Sequence, residues 1–204
     1  AIPLVKEHYI ISNYGIAANN EAYSVLLLAN KPIEKLKEIK LDYQSRSSVA
    51  MFKLLNDNYL HHDFKFSEGY PNFENNLDGD IGGVVIGDRA LQYRDKFKYV
   101  YDIASLWREY TSLPAVFALW VANKPVSKEF SEKFDSMLRY GVNNIKKAVA
   151  NNETNMDINL LFNYLNNKLC YKIDVEHKKS VELFLSILTE NSLKPNFIDY
   201  NLKL

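Results

Sequence analysis

The strongest constraint on this chain is a change of rhythm along it. Up to about Val121, short apolar runs bounded by turn residues alternate with amphipathic stretches. Tyr9-Ile10-Ile11, Tyr23–Leu28, Ile39–Asp42, Ile81–Ile86, Tyr99–Asp102 and Ala115–Val121 read as strands. Between them, Pro32–Lys37, the spaced set Val49, Phe52, Leu55 and Tyr59, then Arg89–Tyr93 and Ile103–Tyr110 read as helices. His61–Asp78 is polar, holds Gly and Pro, and reads as connection. From Ser127 onward the rhythm is helical. Phe130, Phe134, Met137, Leu138, Gly141, Ile145 and Val149 mark one face of a long helix. A loop at Asn151–Asn155 follows, then amphipathic helices over Ile158–Leu165 and Val181–Leu188. The pattern predicts an α/β architecture with a helical C-terminal portion.

Composition narrows the function classes. Lys plus Arg is 25 and Asp plus Glu is 25, so the 204-residue chain is formally neutral. A neutral chain has no electrostatic pull toward nucleic acid or an anionic membrane surface. Its longest apolar runs, Val25–Ala29 and Leu113–Ala122, fall far short of the ~20 residues a membrane helix needs. The lone Cys170 can form neither an internal disulfide nor a cysteine metal cage and reads as a small buried hydrophobe. His61-His62-Asp63 resembles a metal cluster by composition only, because adjacent residues point apart. Without a Gly-x-Ser-x-Gly elbow, a Ser-His-Asp triad has no support.

The segment best suited to chemistry is Gln44-Ser45-Arg46-Ser47-Ser48. A strand ends there, and hydroxyl residues lead into a helix, with Ser47 or Ser48 placed as its N-cap. Free first-turn N–H groups and the helix dipole favour an anion, and Arg46 offers a planar fork for a carboxylate. The competing reading is an ordinary cap with a solvent-facing arginine. Ser24 sits in an apolar run, where a hydroxyl needs a backbone partner or a ligand. Asp88 follows the glycine-rich strand Ile81–Ile86, at the usual ligand end of an open α/β sheet, or else caps the next helix. The glycines match neither a phosphate loop nor a dinucleotide fingerprint and read as close packing within a sheet. Residue chemistry alone thus reaches a binder of a small anion and does not choose between an enzyme and a solute-binding module.

Three motifs carry a resemblance. Ile86-Gly87-Asp88-Arg89-Ala90-Leu91, Tyr101–Trp107 and Tyr110–Trp120 together resemble the menaquinone-biosynthesis family of the futalosine pathway, in its chorismate-dehydrating branch. Tyr23-Ser24-Val25 and Leu41–Ser48 fit the same family in the same order, and the likeness runs from near Ala1 to near Asp199. It implies a periplasmic-binding-protein-like type II fold: two α/β lobes with a cleft, the first lobe incomplete in this chain. Residues 1–24 would be the remainder of lobe one and a hinge, 25–114 lobe two, and 115–204 a return strand and helices packing on lobe one. The implied protein is cytoplasmic and takes a small molecule, chorismate, as substrate. The implied reaction is loss of water to give 3-[(1-carboxyvinyl)oxy]benzoate, with no metal or organic cofactor. Ser24 matches the family's active-site serine, and Gln44, Ser45, Arg46, Ser47, Ser48 and Asp88 would bind substrate.

Departures from the family pattern are Ala104 and Ser112, where glycine is usual, and Ala115, where a larger aromatic is common. If position 112 needs a positive φ, serine costs about 1 kcal/mol there. Ala1-Ile2-Pro3 matches a point well inside the pattern, which implies that cleft residues precede it and that this chain alone is inactive or poorly folded. The alternatives are a non-enzymatic carboxylate-binding module and the paralogous 1,4-dihydroxy-6-naphthoate synthase. Against the latter, no histidine stands in a matching motif.

Overall fold

Leu26, Leu27 and Leu28 show how the sheets are built. The strand they occupy is buried on both faces, so an unbroken apolar run is what it needs. The computed structural model describes residues 7–151 and 156–189. The expectations resting on Ala1-Ile2-Pro3, on Asn152–Asn155 and on the stretch near Asp199 lie outside the described residues.

The strands are β1 (Tyr9–Ala18), β2 (Val25–Ala29), β3 (Glu38–Leu41), β4 (Lys65–Glu68), β5 (Ile81–Ile86), β6 (Tyr99–Asp102), β7 (Ala115–Ala122) and β8 (Cys170–Lys172). The helices are α1 (Ser47–Leu55), α2 (Gly87–Tyr93), α3 (Ile103–Thr111), α4 (Lys128–Asn143), α5 (Ile145–Ala150), α6 (Ile158–Asn163) and α7 (Val175–Thr189). The protein is thus a mixed α/β structure. It divides into two compact units, one formed by Ala1–Ala18 with Val116–Leu204, the other by Asn19–Ala115.

The second unit is a five-stranded mixed sheet in the order β4-β3-β5-β2-β6. β3 runs parallel to β4 and β5, whereas β2 runs antiparallel to β5 and β6. Leu26 and Leu28 join Phe73, Leu77, Val85 and Ala90 in one core cluster. Leu27 and Val84, of opposite parity, take the other face, on which α1 and α3 lie against β5 and β2. Gly83 is a packing glycine: a Cβ there would sit 2.7 Å from Leu77 Cδ1 and 2.8 Å from Phe73 Cε2.

The first unit holds a three-stranded sheet in the order β7-β1-β8. β1 is longer than its apolar start suggests. Ser12 Oγ donates to Asp135 Oδ1 of α4 at 2.5 Å, which seats a polar residue in the strand. Gly15 lets β1 approach β7, since a Cβ there would lie 2.5 Å from the Ala118 carbonyl oxygen. Ala17, Val116, Ile173, Val181 and Leu185 form this unit's core. The long helix read through Val149 is interrupted at Asn144, whose φ of −116° and ψ of 20° separate α4 from α5.

Two corrections fall in the region read as connection. β4 forms there as an edge strand beside β3, and a 3-10 turn spans Phe73–Asn76.

Candidate functional site

Because β2 is antiparallel to β5, its start lies at the same end of the sheet as the finish of β5. Val25 pairs with Ile86. β3 is parallel to β5, so Asp42 and the segment that follows leave at that end too. One sheet end therefore gathers Ser24, the Gln44–Ser48 segment and Asp88, all within the second unit.

Ser24 is held by its backbone neighbours. Tyr23 has a φ of 65°, a left-handed conformation costly for an aromatic residue. Two interactions sustain it. The Ala22 and Tyr23 N–H groups donate to the Asp102 carboxylate at 3.2 and 2.7 Å. The Arg94 guanidinium lies 3.9 Å from the centre of the Tyr23 ring. Asp102 also caps α3, accepting from Ala104 and Ser105 N–H at 2.9 and 3.2 Å. Burial raises the Asp102 pKa, with the four amide bonds opposing it. On the other side, Gly87 N–H donates to the Ser24 carbonyl at 2.8 Å, and Gly87 itself takes a φ of 65°. Ser24 is 4% exposed.

The Gln44–Ser48 segment is organised by Asp42, whose side chain is fully buried. Asp42 Oδ1 accepts Gln44 N–H at 2.8 Å, and Oδ2 accepts Ile86 N–H at 3.0 Å. Arg89 Nη2 donates to the same Oδ2 at 2.6 Å and to Gln44 Oε1 at 3.1 Å. Arg89 Nη1 meets the buried Glu74 carboxylate. Burial works against the Arg89 charge, but Asp42 and Glu74 outweigh it, so the guanidinium's pKa is raised.

Two expectations about caps are corrected. The cap of α1 is neither Ser47 nor Ser48. Arg46 holds the N-cap position in helical conformation, and Ser45 Oγ accepts Ser48 N–H at 3.1 Å. Ser48 is buried, whereas Gln44 and Arg46 are exposed and Ser45 and Ser47 half-buried. Asp88 does not cap α2 either. Ile86 holds that position without a side-chain bond, and Asp88 is an exposed residue of the first turn. Asp88 therefore places an exposed negative charge at the α2 start, at the sheet end that also holds Ser24.

Residue-level reading missed Asp42, Glu74, Arg89 and Asp102 as organisers. The available signal was weak: Asp42 and Asp102 each end a short strand, where a carboxylate can collect loop amides. Among the described residues, no three His, Cys, Asp or Glu side chains converge as metal ligands, and no helix is long and apolar enough to cross a membrane.

A family profile described as menaquinone biosynthesis matches residues 1–190. The chorismate dehydratase of Thermus thermophilus is 24% identical over 164 residues, covering 68% of this chain and 58% of that protein. The chain thus spans less than two thirds of that relative's length. A crystal structure of a protein from Archaeoglobus fulgidus aligns with a TM-score of 0.60 at 20% identity, over 93% of this chain and 73% of that one, and shows a shared fold. With the profile running through nearly all of its length, the chain belongs to the menaquinone-biosynthesis family.

Proposed function

We propose that this protein is a hydro-lyase that converts chorismate to 3-[(1-carboxyvinyl)oxy]benzoate and water. The observation that carries the reading is the gathering of Ser24, Gln44–Ser48 and Asp88 at one sheet end, in a chain whose family profile is that of menaquinone biosynthesis. The likeness to a chorismate dehydratase supports the substrate. The resemblance in motifs supports a type II periplasmic-binding-protein-like frame, with 25–114 as lobe two, and a cytoplasmic setting.

The chemistry asks little of the protein. A ring C–H bond and a neighbouring C–O bond break, a ring double bond forms, and the product ring is aromatic. Orientation and one assisted proton transfer suffice. Ser45, Arg46, Ser47 and the α1 start offer donors to one substrate carboxylate. Gln44 and Ser48 belong to the same segment, and Asp88, exposed at the same sheet end, is within the substrate-binding set. Ser24 hydrogen-bonds the substrate and does not form a covalent bond to it. The ring proton passes to the substrate's own side-chain carboxylate.

The test is incubation of the full-length protein with chorismate, following the aromatic ether by absorbance and NMR. Product formation is the expected result, and binding without product would leave a carboxylate-binding module instead. Ser24→Ala should lower kcat by about a hundredfold or more, the range for loss of one well-placed polar group. Unchanged turnover would remove Ser24 from the mechanism.

A further inference from the structure

We infer that Arg89 is a positioning residue that turns the Gln44 side chain into a hydrogen-bond donor for a substrate carboxylate. The inference rests on the proposed carboxylate site at Gln44–Ser48 and adds the device that sets its polarity.

A guanidinium has five donors and no acceptor. Whatever atom of Gln44 faces Arg89 Nη2 at 3.1 Å must therefore be the amide oxygen. That leaves the amide NH2 group at the outer end of an exposed side chain. An unrestrained glutamine would present either end.

The guanidinium itself is immobilised. Asp42 and Glu74, both buried, take two of its edges. The Tyr43 and Phe73 rings lie 4.8 and 6.0 Å from Cζ. The backbone of residue 44 is fixed by the same Asp42, through the 2.8 Å bond from Gln44 N–H. Main chain and side chain of Gln44 are thus registered to one ion cluster.

The charge balance explains why a neutral amide is used. Two carboxylates against one guanidinium leave the cluster with net negative charge, so Arg89 is not available to a substrate anion. Gln44 passes the donor function outward without bringing that negative charge to the substrate. Arg89 acts through Gln44 and does not touch substrate.

The test compares Gln44→Glu, Gln44→Ala and Arg89→Lys in the full-length protein. Gln44→Glu still accepts from Arg89 but presents oxygen outward. It should raise the KM for chorismate about tenfold or more, the value of a hydrogen bond to a charged group. The bond is made in ground and transition states alike, so kcat should stay within about threefold. Gln44→Ala should raise KM less, because it adds no repulsion. Arg89→Lys should raise KM in the same direction and broaden the Gln44 side-chain amide NMR signals, a readout that mere structural support would not produce. An unchanged KM in Gln44→Glu, with chorismate turned over normally, overturns the inference and leaves the proposed function standing. If the unaltered protein does not turn over chorismate, the proposed function fails. The inference is then decided with benzoate, which should shift the Gln44 amide protons in the unaltered protein. Benzoate leaving them unmoved overturns it.

Discussion

At Asp102, one carboxylate accepts four backbone N–H groups from two directions: Ala22 and Tyr23 before β2, and Ala104 and Ser105 at the start of α3. It is cap and clamp together, and the clamp holds Tyr23 left-handed immediately before Ser24. Asp102→Ala should cost about 2–4 kcal/mol by urea unfolding, combining a lost cap with unsatisfied amides. Asp102→Asn keeps an acceptor for the α3 amides but sets an NH2 against Tyr23 N–H, so it should cost less. Equal losses in the two variants would contradict the clamp. Little of this was legible in sequence. Ser24 and the Ser45–Ser48 run stood out because hydroxyls beside apolar residues demand partners. The Arg89 cluster did not, because Asp42 and Glu74 lie 47 and 15 residues away and only the folded sheet brings them together. The N-cap was misplaced among neighbouring serines because composition identifies a cap without its register.

Elements show the same division between local and tertiary information. β2 and β5 were legible because both are buried on each face and so keep continuous apolar runs. β4 was not: its exposed, charged sequence is that of an edge strand, stabilised only by pairing with β3. β1 was legible at its start alone, since Ser12 and Asn13 need Asp135 to sit in a strand. The end of α3 bears out a conditional expectation. Ser112 has a φ of 61° and closes the helix by donating its N–H to the Arg108 carbonyl at 2.7 Å. Ser112→Gly should therefore raise stability by about 0.5–1 kcal/mol, read as a shift in urea midpoint at constant slope. At the start of α7, Asp174 accepts Glu176 and His177 N–H and meets His177 Nδ1 at 2.7 Å. Cys170 first, and then Asp174, hold the His177 pKa above its ordinary 6.5 against burial, although among the described residues Nε2 closes no hydrogen bond of ordinary geometry. Burial opposes the Asp174 charge, but His177 outweighs it and holds the Asp174 pKa below 3.8. The His177 contribution is complete below pH 6.5 and is lost as pH rises through the raised value. The Asp174 contribution is complete above pH 3.8 and is lost as pH falls through the lowered value. Urea midpoints should decline as pH rises above about 6.5 and through the raised value, and His177→Gln should flatten that decline.

For the whole molecule, the division of the chain matters more than its length. The second unit, Asn19–Ala115, is one continuous stretch with its own sheet and core, set within the sequence of the first. Expressed alone, Asn19–Ala115 should fold and unfold cooperatively, with dispersed amide NMR signals. A molten spectrum would show that it depends on the rest of the chain. The first unit is the opposite case, because its partners are remote in sequence: Ser12 waits for Asp135, 123 residues later. Such separation carries a consequence in time. As the chain leaves the ribosome, β1 emerges before the inserted unit and stays without β7 and β8 while that unit is made. Contacts between close residues form fast and distant pairings form slowly. The unit bearing Ser24 and the Gln44 segment can therefore finish before the β7-β1-β8 sheet is closed, and the unpaired β1 needs shielding over that interval.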